Sequence, residues 1–590
     1  RQDSYNPVEE YVIPVGTDQR NKSKDEWQKA ERQQAESVQH IIDKVLSHQV
    51  WQSSGTSKDS TYLNPTIQPR MPWQDYHVQI EGPAVYDLVK NFVYRWNSYS
   101  HPYPAHPLKT PIPELKMPAV PPEKKGSCQV QVLRSASLDM RKDEHKRMPN
   151  SAPNPGLKQD DILRSIHLLI SKSEHYIYIE NQFFVSEFGE YSISPENELS
   201  PVAKSFNPAL SAWATRLMPN EETPQNPVAE WLGERIKRAI FSYMNKPFHV
   251  YIMLPVYPEG RLDDPTIVAQ IHLTRQSLVF GSHSLLNQIR RSLWVKQQLE
   301  VQEVPRREWG RKLADLEEQC GDKYKNIPHE ACNEYMTLLN LRDHAELNGM
   351  AVTEQIYVHS KLMIVDDRYV LVGSANINDR SLMGDRDSEL AVLISDTEHG
   401  YADLDGSGTA VPYRNFARDL RQKSWRKWMG SAVGECAEAL EKPALKAGWE
   451  NIQIMAKKNT KLYVNVFDFI PRDNYSVPKI NNETYRGDGD SESESENIST
   501  RASVWPVVAV NAITKNEKMP FSELFWELYD KKGQALTNVK GFFHTLPIHW
   551  TENENNLIKY NMRLIADRFE KNRDDSQVLV YNSQAQVEDV

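Results

Sequence analysis

The chain has 590 residues, 39% of them apolar, a formal charge of −10 and a mean hydropathy of −0.64. That length allows several domains and a substantial core, yet no apolar run approaches the roughly 18 residues of a membrane span; the longest, Val250–Val256 and Val504–Ile513, suit buried strands. The acidic balance argues against wholesale nucleic-acid binding, and the scattered Cys128, Cys320, Cys332 and Cys436 fit neither a zinc spacing nor a disulfide framework, so a reduced, cytoplasmic setting is expected.

In chain order, residues 1–64 are polar, and the charged run Asp18–Glu36 reads as a solvated face or insert. Residues 65–100 hold Val85, Leu88, Val89, Phe92 and Val93 at helical spacing. Prolines crowd 101–126, which reads as an extended linker. A long unit, 127–480, follows. Cys128–Arg134 alternates as a strand, Asp160–Ser173 is an amphipathic helix, Tyr176–Phe184 a strand, Trp231–Tyr243 a helix and Phe248–Pro255 a buried strand. Gln288–Leu341 reads as largely helical. This alternation predicts an α/β fold with a mixed sheet flanked by helices.

Gln355–Asp366 then reads as one strand, Tyr369–Val372 as another, and Gly373-Ser374-Ala375-Asn376 as a turn into a helix whose first turn holds Asn378 and Asp379. Arg414–Trp428 is a basic, aromatic-bearing helix, read as a solvated helix laced with salt bridges, or alternatively as one lying on anionic lipid. Lys457, Lys458 and Lys461 form a second basic cluster ahead of the strand-like Leu462–Phe469. The Ser-Glu run within 481–503 reads as a disordered loop, 504–570 as a closing segment and 571–590 as a polar tail.

The chemistry concentrates at His359-x-Lys361-x4-Asp366-x6-Gly373-Ser374-x-Asn376. On a strand, period-two geometry puts His359 and Lys361 on one face. An imidazole beside an ammonium can attack or protonate a phosphodiester and clamp its oxygens. The turn that follows can aim N–H groups, a hydroxyl and an amide at an anion.

This string resembles the HKD motif of the phospholipase D superfamily. Ile177-Tyr-Ile-Glu180-Asn181-Gln182-Phe183-Phe184, Arg386-Asp387-Ser388-Glu389, Pro69-Arg-Met-Pro-Trp73-Gln-Asp75 and Lys540-Gly-Phe-Phe-His544-Thr-Leu-Pro547 are similar to flanking segments of the eukaryotic phosphatidylcholine-hydrolysing enzymes. Those enzymes carry two motif copies that meet at a pseudo-twofold axis. Of the 17 histidines here, only His359 has a lysine two residues on. Because segments that follow the first copy are present and the chain opens on Arg1, it is expected to be the second catalytic lobe plus a remnant of the first, needing a missing first HKD half.

The resemblance implies roles. His359 becomes the general acid if the missing histidine is the nucleophile that forms a phosphohistidine. Lys361, Ser374 and Asn376 hold phosphoryl oxygens. Glu389 is the candidate carboxylate orienting an imidazole, either that of His359 or the missing one. Asp366 joins the catalytic set through the motif, although its place at a strand end suggests a turn or salt bridge. Glu180, Asn181 and Gln182 are pocket candidates, and Phe183 and Phe184 core. No metal or other cofactor is required. Activation by an anionic phosphoinositide is a family property that either basic cluster could serve. The implied partners are a phospholipid membrane surface and phosphatidylcholine, with peripheral membrane association and no nucleic acid. Phosphatidylcholine hydrolysis with transphosphatidylation is the leading expectation. The alternatives are a nuclease pairing two single-copy chains and an inactive half-enzyme that binds anionic lipid.

Overall fold

The computed structural model describes residues 70–98, 112–113, 126–150, 152–189, 224–244, 246–259, 270–271, 273–347, 350–467, 470–471, 473 and 536–550. Residues 1–64, 481–503 and 571–590 lie outside the described residues, as does nearly all of 101–126 and most of 504–570.

The strands are β1 (Trp73–Gln74), β2 (Cys128–Ala136), β3 (Gln159–Asp160), β4 (Tyr176–Glu180), β5 (His249–Met253), β6 (Met336–Leu347), β7 (Met350–Val358), β8 (Leu362–Val365), β9 (Tyr369–Gly373), β10 (Glu389–Asp396), β11 (His399–Ala402), β12 (Val411–Arg414) and β13 (Phe543–Thr545). The helices are α1 (Ala84–Ser98), α2 (Leu138–Arg147), α3 (Asp161–Lys172), α4 (Val228–Ile240), α5 (Leu285–Val301), α6 (Trp309–Cys320), α7 (Asp379–Leu382), α8 (Asn415–Met429), α9 (Ala437–Glu441) and α10 (Lys446–Val466). One sheet runs in the order β1-β7-β6-β5-β4-β8-β9-β10-β2-β3, β13 adds to β6, and β11 with β12 forms a separate ribbon. The β1–β7, β4–β5 and β5–β6 pairs are parallel, and the other described pairs antiparallel. The expected mixed sheet with covering helices is the architecture observed.

Strand β4 explains the layering. All five of its residues are buried, and alternate side chains enter opposite cores. Ile177 and Ile179 pack with residues of α3 to α6, while Tyr176 and Tyr178 pack with Trp425 and Trp428 of α8 and with Trp449, Ile452 and Met455 of α10. A strand buried on both faces carries an unbroken apolar run rather than alternation.

Three sequence expectations change. Gln355–Asp366 is not one strand: β7 ends at Val358 and β8 begins at Leu362. The chain changes neighbours there, from β6 and β1 to β4 and β9, and His359–Lys361 form the connector. Leu462–Val466 is the end of α10 instead of a strand, because Ile452, Met455, Ala456, Asn459, Tyr463 and Val466 continue one buried face at helical spacing. Packing overrides the β-propensity of that segment. The region Gln288–Leu341 is helical only as far as short turns before Met336, where β6 starts beside β5.

Candidate active site

The motif residues gather where several strand ends meet. β7 delivers His359, whose backbone N–H and that of Ser360 both donate to the Gln74 carbonyl, at 2.9 and 3.1 Å. Parallel pairing of β1 with β7, Trp73 opposite Tyr357 and Gln74 opposite Val358, lays the 70–76 segment along the histidine. Asp75 is thereby placed so that its Oδ2 is 2.7 Å from His359 Nδ1. The imidazole stacks on Trp73 with ring centroids 4.6 Å apart, and Trp73 lies 5.0 Å from the Tyr357 ring. Burial works against the Asp75 charge, but the His359 hydrogen bond and the Tyr76 backbone N–H together hold its carboxyl below the ordinary value. An Nδ1–H donated to this carboxylate leaves Nε2 on the opposite side of the ring.

Lys361 is 8% exposed. Its Nζ donates to Gln182 Oε1 at 3.0 Å and to the His359 carbonyl, while Gln182 Nε2 donates to the Tyr357 hydroxyl at 2.9 Å. Burial pulls the lysine down to about 8, opposed by the charges of Asp75, Glu389 and Glu259. Lys361 therefore sits in the field of the two carboxylates that flank the motif.

Glu389, the first residue of β10, accepts from Ser374 Oγ at 2.5 Å and from Ser381 Oγ at 2.6 Å rather than from His359. Burial raises its pKa, against the pull of the two hydroxyls. The turn between β9 and α7 depends on Gly373. A Cβ there would lie 2.4 Å from the Leu390 carbonyl oxygen, so the close approach of β9 to β10 admits no side chain. Asn376 follows, its Oδ1 buried without a hydrogen-bond partner among the described residues. Asn378 caps α7 by accepting from Ser381 N–H.

The remaining predicted residues are structural supports in this arrangement. Asp366 lies beyond the far end of β8, with φ +53°, and its carboxylate accepts the backbone N–H groups of Glu174, His175 and Tyr176 at 2.7, 2.8 and 2.9 Å. It fixes the start of β4 and does not join the cluster around Lys361. Asn181 accepts from Phe183 and Ile377 N–H, tying the end of β4 to the turn after Asn376. Glu180 is fully buried and faces hydroxyls. Phe184 lies in the core beside α3 to α5.

The basic helix α8 is only partly solvated, with Lys423, Arg426 and Lys427 exposed. Arg421 and Arg418 are buried against Asp367, at 2.7 and 3.2 Å, and Trp425 and Trp428 are core. Asp75 is the carboxylate beside His359 that sequence reasoning did not single out. It lies 284 positions from His359, and the only signal for it was the likeness of Pro-Trp-Gln-Asp to a family segment. Among the described residues, no group of three or more His, Cys, Asp or Glu converges as a metal-ligand set, and no helix is long and apolar enough to cross a membrane.

A family model described as Phospholipase D matches residues 41–298 and 322–473. Phospholipase D1 of Mus musculus is 30% identical over 439 residues, covering 70% of this chain and 32% of that protein. Phospholipase D2 of Bos taurus is 29% identical over 70% of this chain and 36% of its own length. Phospholipase D A of Dictyostelium discoideum is 33% identical over 61% and 21%. The chain thus spans about a third or less of these relatives. Among solved structures, Nuc of Salmonella typhimurium, titled a phospholipase D family member, aligns over 51% of this chain and 94% of its own at 13% identity, with a TM-score of 0.20.

Proposed function

The chain belongs to the phospholipase D family, and from that premise we propose that it supplies the second catalytic half of an enzyme hydrolysing phosphatidylcholine to phosphatidate and choline. The observation that carries this reading is the Asp75–His359–Lys361 constellation. A carboxylate holds one imidazole nitrogen, and a buried ammonium stands beside the histidine's backbone.

In this reading the protonated His359 donates from Nε2 to the choline oxygen as the P–O bond breaks. The missing half's histidine attacks phosphorus and becomes phosphohistidine. His359, now neutral, takes a proton from water, whose oxygen displaces the histidine to give phosphatidate; an alcohol in place of water gives transphosphatidylation. Lys361 and the Asn376 amide stabilise the phosphoryl oxygens. Glu389, whose charge also acts on Lys361, is the carboxylate assigned to the second imidazole, which would have to compete with the Ser374 and Ser381 hydroxyls that it accepts from here.

Contact with a phospholipid surface, at the cytoplasmic face of a membrane, belongs to the same proposal, as does activation by an anionic phosphoinositide. Lys457, Lys458 and Lys461 suit that role because all three are exposed on α10, whereas Arg418 and Arg421 are engaged by Asp367.

The test is choline release from phosphatidylcholine vesicles by this chain mixed with a polypeptide carrying a His-x-Lys-x4-Asp first half. Release that requires both chains and is lost in His359→Ala supports the reading. Full release with His359→Ala, or DNA cleavage without lipid turnover, overturns it.

A further inference from the structure

A second polar centre lies behind the site, and none of the roles above uses it. Glu180 ends β4 on the face opposite Ile177 and Ile179 and is 0% exposed. One of its oxygens, Oε1, lies 2.8 Å from the Tyr76 hydroxyl and also accepts from the Tyr178 hydroxyl; the other, Oε2, accepts from Ser360 Oγ at 2.6 Å. The Tyr76 oxygen is also 2.9 Å from Ser424 Oγ of α8. Three hydroxyls thus surround one carboxylate, and no salt bridge to it is present among the described residues.

A fully buried carboxylate without a cation is costly and is retained only where its hydrogen bonds are well made. What these bonds join is specific. Tyr76 directly follows Asp75, and Ser360 directly follows His359. The Asp75 segment touches the motif through a strand of only two residues, which by itself fixes a side chain poorly. Glu180 adds a side-chain bridge one residue beyond each member of the Asp75–His359 pair, with one oxygen on each.

We infer that Glu180 is a positioning residue that locks the Asp75-bearing segment to the His359 connector and so fixes the imidazole through Asp75. It does not contact substrate. The inference rests on the proposed acid–base role of His359 for its functional meaning, but its geometry can be tested without turnover.

The experiment uses the full chain labelled with [15N]histidine, with the His359 resonances assigned by difference against His359→Ala. Long-range 1H–15N correlation reads which ring nitrogen carries the proton when the imidazole is neutral. In the unsubstituted chain the proton sits on Nδ1. Asp75→Asn removes that preference and gives a mixture of the two tautomers. Tyr76→Phe and Ser360→Ala, each deleting one hydroxyl, shift His359 part of the way to the same mixture, and Glu180→Gln shifts it further. In the two-half choline assay these three variants lower kcat about 10- to 100-fold with KM unchanged, the signature of a displaced reacting group. An unchanged Nδ1 preference in both Tyr76→Phe and Ser360→Ala, with the preference lost in Asp75→Asn, overturns the bridge. An unchanged preference in Asp75→Asn overturns the pairing of Asp75 with His359, and the bridge with it. If His359→Ala leaves choline release intact, the functional reading fails while the tautomer result still decides the role of Glu180.

Discussion

Asp366 offers the sharpest division between a catalytic and an architectural reading of the motif, because the two predict opposite behaviour for one substitution. The structure gives its carboxylate three backbone donors, and the N–H groups of His175 and Tyr176 are in a buried setting. Removing the acceptor leaves those two donors unpaired at about 1–3 kcal/mol each. An alanine held at φ +53° adds about 1 kcal/mol of backbone strain. Asp366→Ala is therefore expected to destabilise by about 3–7 kcal/mol. Asp366→Asn keeps one oxygen for His175 and Tyr176, tolerates the left-handed conformation, and loses mainly the bond from Glu174, so about 1–2 kcal/mol is expected. Equilibrium urea unfolding, followed by tryptophan fluorescence and far-ultraviolet circular dichroism, reads both numbers as midpoint shifts. The two-half choline assay should find Asp366→Asn largely active at temperatures where it is folded. An Asp366→Ala shift below about 1 kcal/mol, or a fully folded Asp366→Asn as inactive as His359→Ala, would refute the reasoning and return Asp366 to the reacting groups.

Asp75→Asn should leave the unfolding midpoint nearly unchanged while lowering choline release about 10²- to 10⁴-fold, since it removes the partner that orients the acid–base imidazole; near-normal kcat would count against the pairing. Burial pulls Lys361 down to about 8 from its ordinary 10.5, so kcat/KM should fall as pH rises through about 8 and the phosphate clamp loses its charge. The stability sign is opposite: between about 8 and 10.5 the unfolded chain binds more protons than the folded one, so the contribution of Lys361 to stability rises with pH there, and Lys361→Met should flatten that rise in pH-dependent melting. Arg421→Met strips Asp367 of its main partner inside the core and should cost about 3–5 kcal/mol in urea unfolding, with part recovered in the double variant Asp367→Asn/Arg421→Met.

Much of this architecture was legible because burial writes itself into sequence. Tyr176–Glu180 and His249–Met253 carry apolar runs that suit central strands, and the structure buries every residue of both. The Gly-Ser-x-Asn turn into a helix was readable from local chemistry, although Asn378, read as part of the helix's first turn, is its N-cap. Where local preference and tertiary packing disagreed, sequence reading followed the wrong signal. Leu462-Tyr-Val-Asn-Val466 has strand-forming residues, yet Tyr463 and Val466 complete a helical face begun at Trp449. The assignment of carboxylates was the least legible, for a geometric reason. Glu389 follows the motif closely in sequence, so it is the natural local candidate for orienting an imidazole. A site at strand ends is assembled by sheet order, however, and β10 lies beside β9 and β2 while β1 lies beside β7. The connector that carries His359 out of β7 is therefore met by Asp75, and Glu389 is met by Ser374 and Ser381 instead. Both carboxylates act on the Lys361 ammonium, but each is held by its own partners, Asp75 by His359 and Glu389 by Ser374 and Ser381.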